Sequence, residues 1–168
     1  MVVATNAHHA DHVVFKDLRS LPRSSVSELL LSLQNLEKKQ FASNEVFPFD
    51  DKLLAKQNTA VIVGVLQLDS RLQLVAYAVC VRWNHRLLLH KICVAPAYRQ
   101  KGMGTKLMRS IIDRARQWSC RGIDLWVDEA NDKAQGLYSK HNFEIQQSVP
   151  DYYGPGRHGV KMCHVLQP

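Results

Sequence analysis

Apolar residues recur at helical spacing early in the chain: Val26, Leu29, Leu30, Leu33 and Leu36 fall on one face of a 3.6-residue period. They follow Leu21-Pro22-Arg23, and Ser25-Val26-Ser27-Glu28 has the S-x-x-E form of a capping box, so the pattern predicts a helix running to about Lys39. The stretch Phe41 to Phe49 closes on Val46-Phe47-Pro48-Phe49. Proline breaks regular structure there and leaves apolar side chains in a loop, either to shape a pocket or to plug the core. Two runs rich in β-branched and apolar residues, Ala60 to Leu68 and Leu72 to Trp83, are joined through Asp69-Ser70 and predict an antiparallel hairpin. A turn at Asn84-His85-Arg86 leads into Leu87 to Val94, an almost continuous apolar run that predicts a central strand covered on both faces.

The helical period returns with Leu107, Met108, Ile111, Ile112, Ala115 and Trp118, and Ile123 to Val127 then reads as a strand. A helical crossover makes that strand parallel to the Leu87 to Val94 strand. Asn131 caps a further helix carrying Ala134, Leu137 and Tyr138 and ending near His141-Asn142. Phe143 to Val149 and Val160 to Leu166 read as two last strands around Asp151 to Arg157. The order predicts a single-domain α/β fold: a mixed, mostly antiparallel sheet with a central parallel βαβ unit and flanking helices. Residues 1–20 read as a mobile N-terminal extension and 21–168 as the domain, with no internal repeat or Gly/Ser linker.

The 168 residues are 46% hydrophobic and 22% charged, which excludes wholesale disorder and low-complexity polymers. Lysine and arginine outnumber aspartate and glutamate by 22 to 15, a net charge of +7 that favours an anionic partner: a phosphorylated cofactor, nucleic acid or an anionic surface. The cations are dispersed and no nucleic-acid-binding motif is present, so no nucleic-acid partner is expected. No apolar run approaches the roughly 20 residues of a membrane-spanning helix, and the first residues lack a basic n-region and apolar h-region. The expectation is an intracellular protein, cytoplasmic or nuclear, with no membrane partner. Cys80, Cys93, Cys120 and Cys163 are scattered without a C-x-x-C pair and read as buried free thiols. His8, His9 and His12 read as a polar tail, and no metal is expected.

The candidate chemistry lies in Arg99-Gln100-Lys101-Gly102-Met103-Gly104. Here a strand end, two glycines, two cations and a helix N-terminus come together. Unpaired N–H groups and the positive end of the helix macrodipole make an anion cradle suited to a pyrophosphate. The run lacks the G-x-x-x-x-G-K-[ST] of a Walker A loop and has two of the three glycines of a dinucleotide fingerprint, and a tight turn would carry the same two glycines.

Motif and context together resemble the GNAT superfamily of acetyl-CoA-dependent N-acetyltransferases. Arg99, Gly102 and Gly104 meet its [RQ]-x-x-G-x-[GA] pattern after a Val94-x-Pro96 strand end. Asn131-x-x-Ala134-x-x-Leu137-Tyr138-x-x-x-x-Phe143 matches its second cofactor segment, and coverage runs from about residue 60 to 166. The resemblance implies acetyl-CoA as acetyl donor: the pantetheine arm on Ile92, Cys93 and Val94 of a splayed central strand, the pyrophosphate on the amides of Gln100, Lys101, Gly102, Met103, Gly104 and Thr105, and Asn131 and Tyr138 beside the arm and thioester. Within the superfamily the chain is most similar to N-terminal (Nα) protein acetyltransferases and bacterial ribosomal-protein alanine acetyltransferases. That likeness implies a protein or peptide N-terminus as acceptor, with Phe47 and Pro48 in a substrate-lining loop and Tyr152 and Tyr153 holding the peptide backbone. A packed aromatic pair would leave the same two tyrosines.

The resemblance also implies Tyr138 as the acid that protonates the coenzyme A thiolate. The chain departs from its relatives at the general base, because Leu88 and Trp126 stand where those enzymes carry an ionisable side chain. His90 shares a strand face with Leu88 and is the favoured base, with Asp128, Glu129 or a water on backbone carbonyls as alternatives. A lysine side chain or small amine is the alternative acceptor, and an acyl-CoA-binding module with weak turnover is the alternative class.

Overall fold

The structure, a computed structural model, describes residues 12–167. Seven strands are joined in one sheet: β1 (Val14–Asp17), β2 (Thr59–Leu68), β3 (Arg71–Trp83), β4 (Arg86–Val94), β5 (Gly122–Asp128), β6 (Glu144–Val149) and β7 (Gly159–Val165). Their order across the sheet is β1-β2-β3-β4-β5-β7-β6. The helices are α1 (Arg23–Gln40), α2 (Asp51–Ala55), α3 (Met103–Gln117) and α4 (Asp132–Ser139). Two compact units divide the chain, one reaching to Val79 and including Lys91–Leu107, the other comprising Cys80–His90 and Met108 onward.

In the first unit the leucine stripe of α1 does what its spacing predicts. Leu29 and Leu33 are wholly buried in a core with Leu18, Val61, Val63, Val65, Tyr77 and Val79. The helix starts at Arg23, earlier than the capping box would place it. Pro22, at φ −56°, precedes it without a side-chain cap, and Ser27 instead turns its hydroxyl to the Arg23 carbonyl at 3.2 Å. Two elements were not expected. Asp50 caps α2 by accepting the Leu53 N–H at 2.8 Å, a helix of five residues being too short to show a period. β1 pairs antiparallel with β2, from Val14 opposite Val65 to Asp17 opposite Ile62. The expected extension 1–20 is therefore part of the sheet at its C-terminal end, while residues 1–11, with His8 and His9, lie outside the described residues. Gly64 permits this pairing, since a Cβ there would stand 2.6 Å from Phe15 Cε1.

In the second unit β4 and β5 run parallel, with Arg86 to Leu89 opposite Gly122 to Leu125. β5 is antiparallel to β7 over its whole length, and β6 follows β7 with an irregularity between Ile145 and Gln147. Asp124, 7% exposed, is tied to Arg86 through a bidentate ion pair and accepts from Cys163 Sγ at 2.8 Å. β4 is not covered on both faces. Leu87, Leu89 and Cys93 are buried, whereas Leu88, Ile92 and Val94 are half-buried and His90 is exposed, so the strand keeps one open face. None of the four cysteines is in a disulfide; three are buried and Cys163 is half-buried. Among the described residues no helix is long and apolar enough to cross a membrane.

Candidate active site

In the first unit the open face of β4 presents Ile92 and Val94, and the opposite face carries Cys93 into the core. Only the backbone of Cys93 is therefore available to a ligand, and burial pushes its thiol up to about 11. The chain then makes a 3-10 turn, Pro96–Tyr98, and enters the 99–104 loop. Gln100 and Gly102 both take positive φ, 59° and 76°, and left-handed residues alternating along a chain can turn successive N–H groups toward an anion. Nothing lies within 4 Å of a Cβ built on Gly102, so the loop is open at that point and glycine is needed there for its backbone angle. Met103 is buried and begins α3, followed by Gly104 and Thr105, whose first-turn N–H groups have no partner within the helix. A helix N-terminus opened in this way can accept a phosphate-bearing group.

The two cations of the loop brace it. Arg99 donates to the Val94 carbonyl at 2.9 Å and to Gln40 Oε1 at 2.5 Å, joining the end of β4 to the end of α1. Lys101 donates to the Ala97 carbonyl at 3.0 Å, with its ammonium over the Tyr98 ring. Both side chains are thus engaged within the protein.

The 41–49 loop belongs to the same unit. Phe49, 1% exposed, meets Tyr77 edge-on at 5.3 Å and plugs the core, Phe47 is half-buried against it at 5.1 Å, and Pro48 is exposed. Sequence reasoning missed what holds this loop. Glu37, wholly buried, accepts the Phe47 N–H on Oε2 at 2.6 Å and pairs with Lys91 Nζ at 3.3 Å. Lys91 in turn donates to the Glu45 carbonyl at 2.6 Å and sits 3.6 Å from the Phe41 ring centroid. The signal was legible: Leu29, Leu33 and Glu37 recur every four residues, so a carboxylate stands on the apolar stripe. A separate recess of about 700 Å³ opens between α1, at Asn35 and Lys39, and the Asp69-Ser70 turn.

The second unit carries the remaining expected residues. Tyr138 is 5% exposed on α4, tilted against Phe143; burial and nearby Tyr153 push its hydroxyl well above the usual phenol range. Asn131 caps α4, accepting the Ala134 N–H at 3.1 Å. Tyr152 is 44% exposed, stacks on Trp126 at 4.2 Å and 12°, and meets Tyr153 edge-on at 4.9 Å. Gly159 makes that stack possible, since a Cβ there would fall 2.7 Å from Tyr152 Cβ. Arg157 pairs with Asp128 at 2.9 Å and lies over Tyr153, fixing the 151–157 hairpin to the end of β5. The Ala130 N–H and Arg157 hold the Asp128 carboxyl below its ordinary range, which makes it a weak base. Trp126, Asp128, Arg157 and Gly159 were not expected in these roles, since their pairing depends on the β5–β7 register. No cluster of three or more His, Cys, Asp or Glu side chains gathers as metal ligands among the described residues.

The sequence pattern described as the Acetyltransferase (GNAT) family matches residues 28–143. N-alpha-acetyltransferase 50 of Danio rerio is 34% identical over 97 residues, 54% of this chain and 56% of that protein. Streptothricin acetyltransferase A of Bacillus subtilis is 38% identical over 63 residues, 38% of this chain and 36% of that one. The chain thus spans between about a third and a little over half of these relatives' lengths. Among solved structures, a chain of the NatC complex bound to Gag peptide and CoA superposes with a TM-score of 0.77 at 20% identity, covering 93% of this chain and 99% of that one. The ribosomal-protein-S18-alanine N-acetyltransferase of Escherichia coli superposes at 0.71 with 19% identity, covering 93% and 95%. These structural likenesses are likenesses of fold.

Proposed function

Because the chain belongs to the acetyltransferase (GNAT) family, we propose that it transfers an acetyl group from acetyl-CoA directly to an amine, the α-amine of a protein or peptide N-terminus. Acetyl-CoA supplies an acetyl thioester. The 99–104 loop is assigned to its pyrophosphate, because positive φ at Gln100 and Gly102 and the open space at Gly102 leave room for an anion beside the N-terminus of α3. The open face of β4 offers Ile92 and Val94 to the pantetheine arm. Tyr138 keeps its proton at neutral pH because burial opposes ionisation, so it has one to deliver to the departing thiolate. His90, exposed on the open side of β4, is assigned to remove the amine proton, since Asp128 is held ionised by Arg157 and Ala130.

The observation that carries the acceptor assignment is Tyr152. A large ring kept 44% exposed, pinned flat on Trp126 and mounted on a hairpin braced by Arg157, is pre-organised to hold a peptide. Phe47 and Pro48 are assigned to the acceptor's first side chain. The stretch shared with streptothricin acetyltransferase A supports a second reading, a small-molecule amine as acceptor.

Calorimetry of acetyl-CoA binding, followed by thiol release against free-N-terminus peptides, N-blocked peptides carrying lysine and small amines, tests both readings. Release with free N-termini alone is expected. Release confined to blocked peptides or small amines overturns the acceptor, binding without turnover on any acceptor leaves a cofactor-binding module, and no binding overturns the cradle.

A further inference from the structure

Glu37 is badly placed for a residue serving stability. It lies in the last turn of α1, where the macrodipole favours cations and where Lys38 and Lys39 already stand. It is wholly buried, although a carboxylate is expensive to take from water even when paired. Its Oε1 has no hydrogen-bond partner. Leucine would extend the stripe of Leu29 and Leu33 with none of these penalties. Local rules broken together at one position point to a task other than packing.

What Glu37 holds identifies that task. Its Oε2 takes the Phe47 N–H at 2.6 Å and the Lys91 ammonium at 3.3 Å, and Lys91 takes the Glu45 carbonyl at 2.6 Å while covering the Phe41 ring. Three points of the 41–49 loop are thereby fastened to two regular elements, α1 and β4. The loop has little regular structure of its own to set its course. We propose that Glu37, acting with Lys91, is a positioning residue for the acceptor: the buried pair fixes the course of the 41–49 loop and so the place of Phe47 and Pro48. The inference rests on the reading that these two residues line the acceptor.

The test compares Glu37→Leu/Lys91→Met, which replaces the pair by apolar side chains, with Phe47→Ala, using the free-N-terminus peptide that gives most thiol release. Replacing a buried pair by packed apolar residues commonly leaves stability unchanged or raised, and the Phe47 N–H and Glu45 carbonyl it frees belong to half-buried loop residues that can turn to water, so the melting temperature of the double variant should fall by no more than about 4 °C. Its peptide KM should rise about 10-fold or more, because the loop order that the pair supplied must then be taken from binding, while the KM for acetyl-CoA stays within about 2-fold. A peptide KM unchanged in the double variant but raised in Phe47→Ala overturns the positioning role alone. An unchanged peptide KM in Phe47→Ala overturns the acceptor reading beneath it. A larger fall in melting temperature with both KM values rising together shows a merely structural pair and also overturns the proposal.

Discussion

Gly102 separates the cost of a backbone angle from the cost of blocking a ligand. Its φ of +76° is one that side-chain-bearing residues adopt at a penalty of about 1–2 kcal/mol. A Cβ at that point would meet nothing within 4 Å, so Gly102→Ala adds no clash in the free protein. At about 2–4 °C per kcal/mol for a chain of this size, the variant should melt roughly 2–8 °C lower. Gly102→Glu carries the same backbone penalty and adds a carboxylate beside the proposed pyrophosphate. At about 4 Å two like charges repel by about 1 kcal/mol in water and about 4 kcal/mol at an effective dielectric of 20. The acetyl-CoA Kd should then weaken by about 5-fold to 1,000-fold more than in Gly102→Ala, the effect shrinking as salt rises. Calorimetric titration alongside thermal unfolding reads both quantities. Equal affinities in the two variants, or a loss in Gly102→Glu insensitive to salt, would refute the cradle.

Tyr138→Phe should lower kcat by about 10²-fold or more with acetyl-CoA affinity nearly unchanged, since it removes a proton donor and keeps the buried ring; steady-state kinetics with parallel calorimetry checks the split. Gly159→Ala forces a Cβ to 2.7 Å from Tyr152, so overpacking of about 1–3 kcal/mol should appear in unfolding, together with a raised peptide KM as Tyr152 leaves Trp126. Burial pushes the Asp124 carboxyl up, but hydrogen bonds from Arg86 and Cys163 and the Arg86 charge outweigh it and hold it below its ordinary value. A lowered carboxyl contributes stability that is present above the unfolded value of about 3.9 and lost as pH falls through the folded one. Melting temperature against pH should therefore fall below about pH 4, and Asp124→Asn should lower the neutral plateau and flatten that acid limb.

Much of the architecture was legible because it rests on local periodicity. The α1 stripe, the Asp69-Ser70 turn, the α3 stripe and the Asn131 cap each depend on residues within a few positions of one another, and each formed near its expected bounds. The misses have physical reasons. β1 is four residues whose place depends on a partner some 50 positions away, and α2 is a single capped turn. β4 was read as covered on both faces because composition counts apolar side chains without saying which of them another element covers.

The chain alone determined that a glycine loop would end a strand and open a helix, because φ preference, strand pattern and helical period are properties of short segments. Tertiary structure decided how side chains far apart in sequence act on one another. Glu37 became a clamp for the 41–49 loop only when β4 brought Lys91 to it, and Tyr152 became a fixed platform only when the β5–β7 register set it on Trp126 with Gly159 leaving it room. Arg99 and Lys101 brace their loop through carbonyls and an amide that the fold placed within reach. Charge and hydrogen bonding act over a few ångströms, and only the folded chain decides which groups come that close.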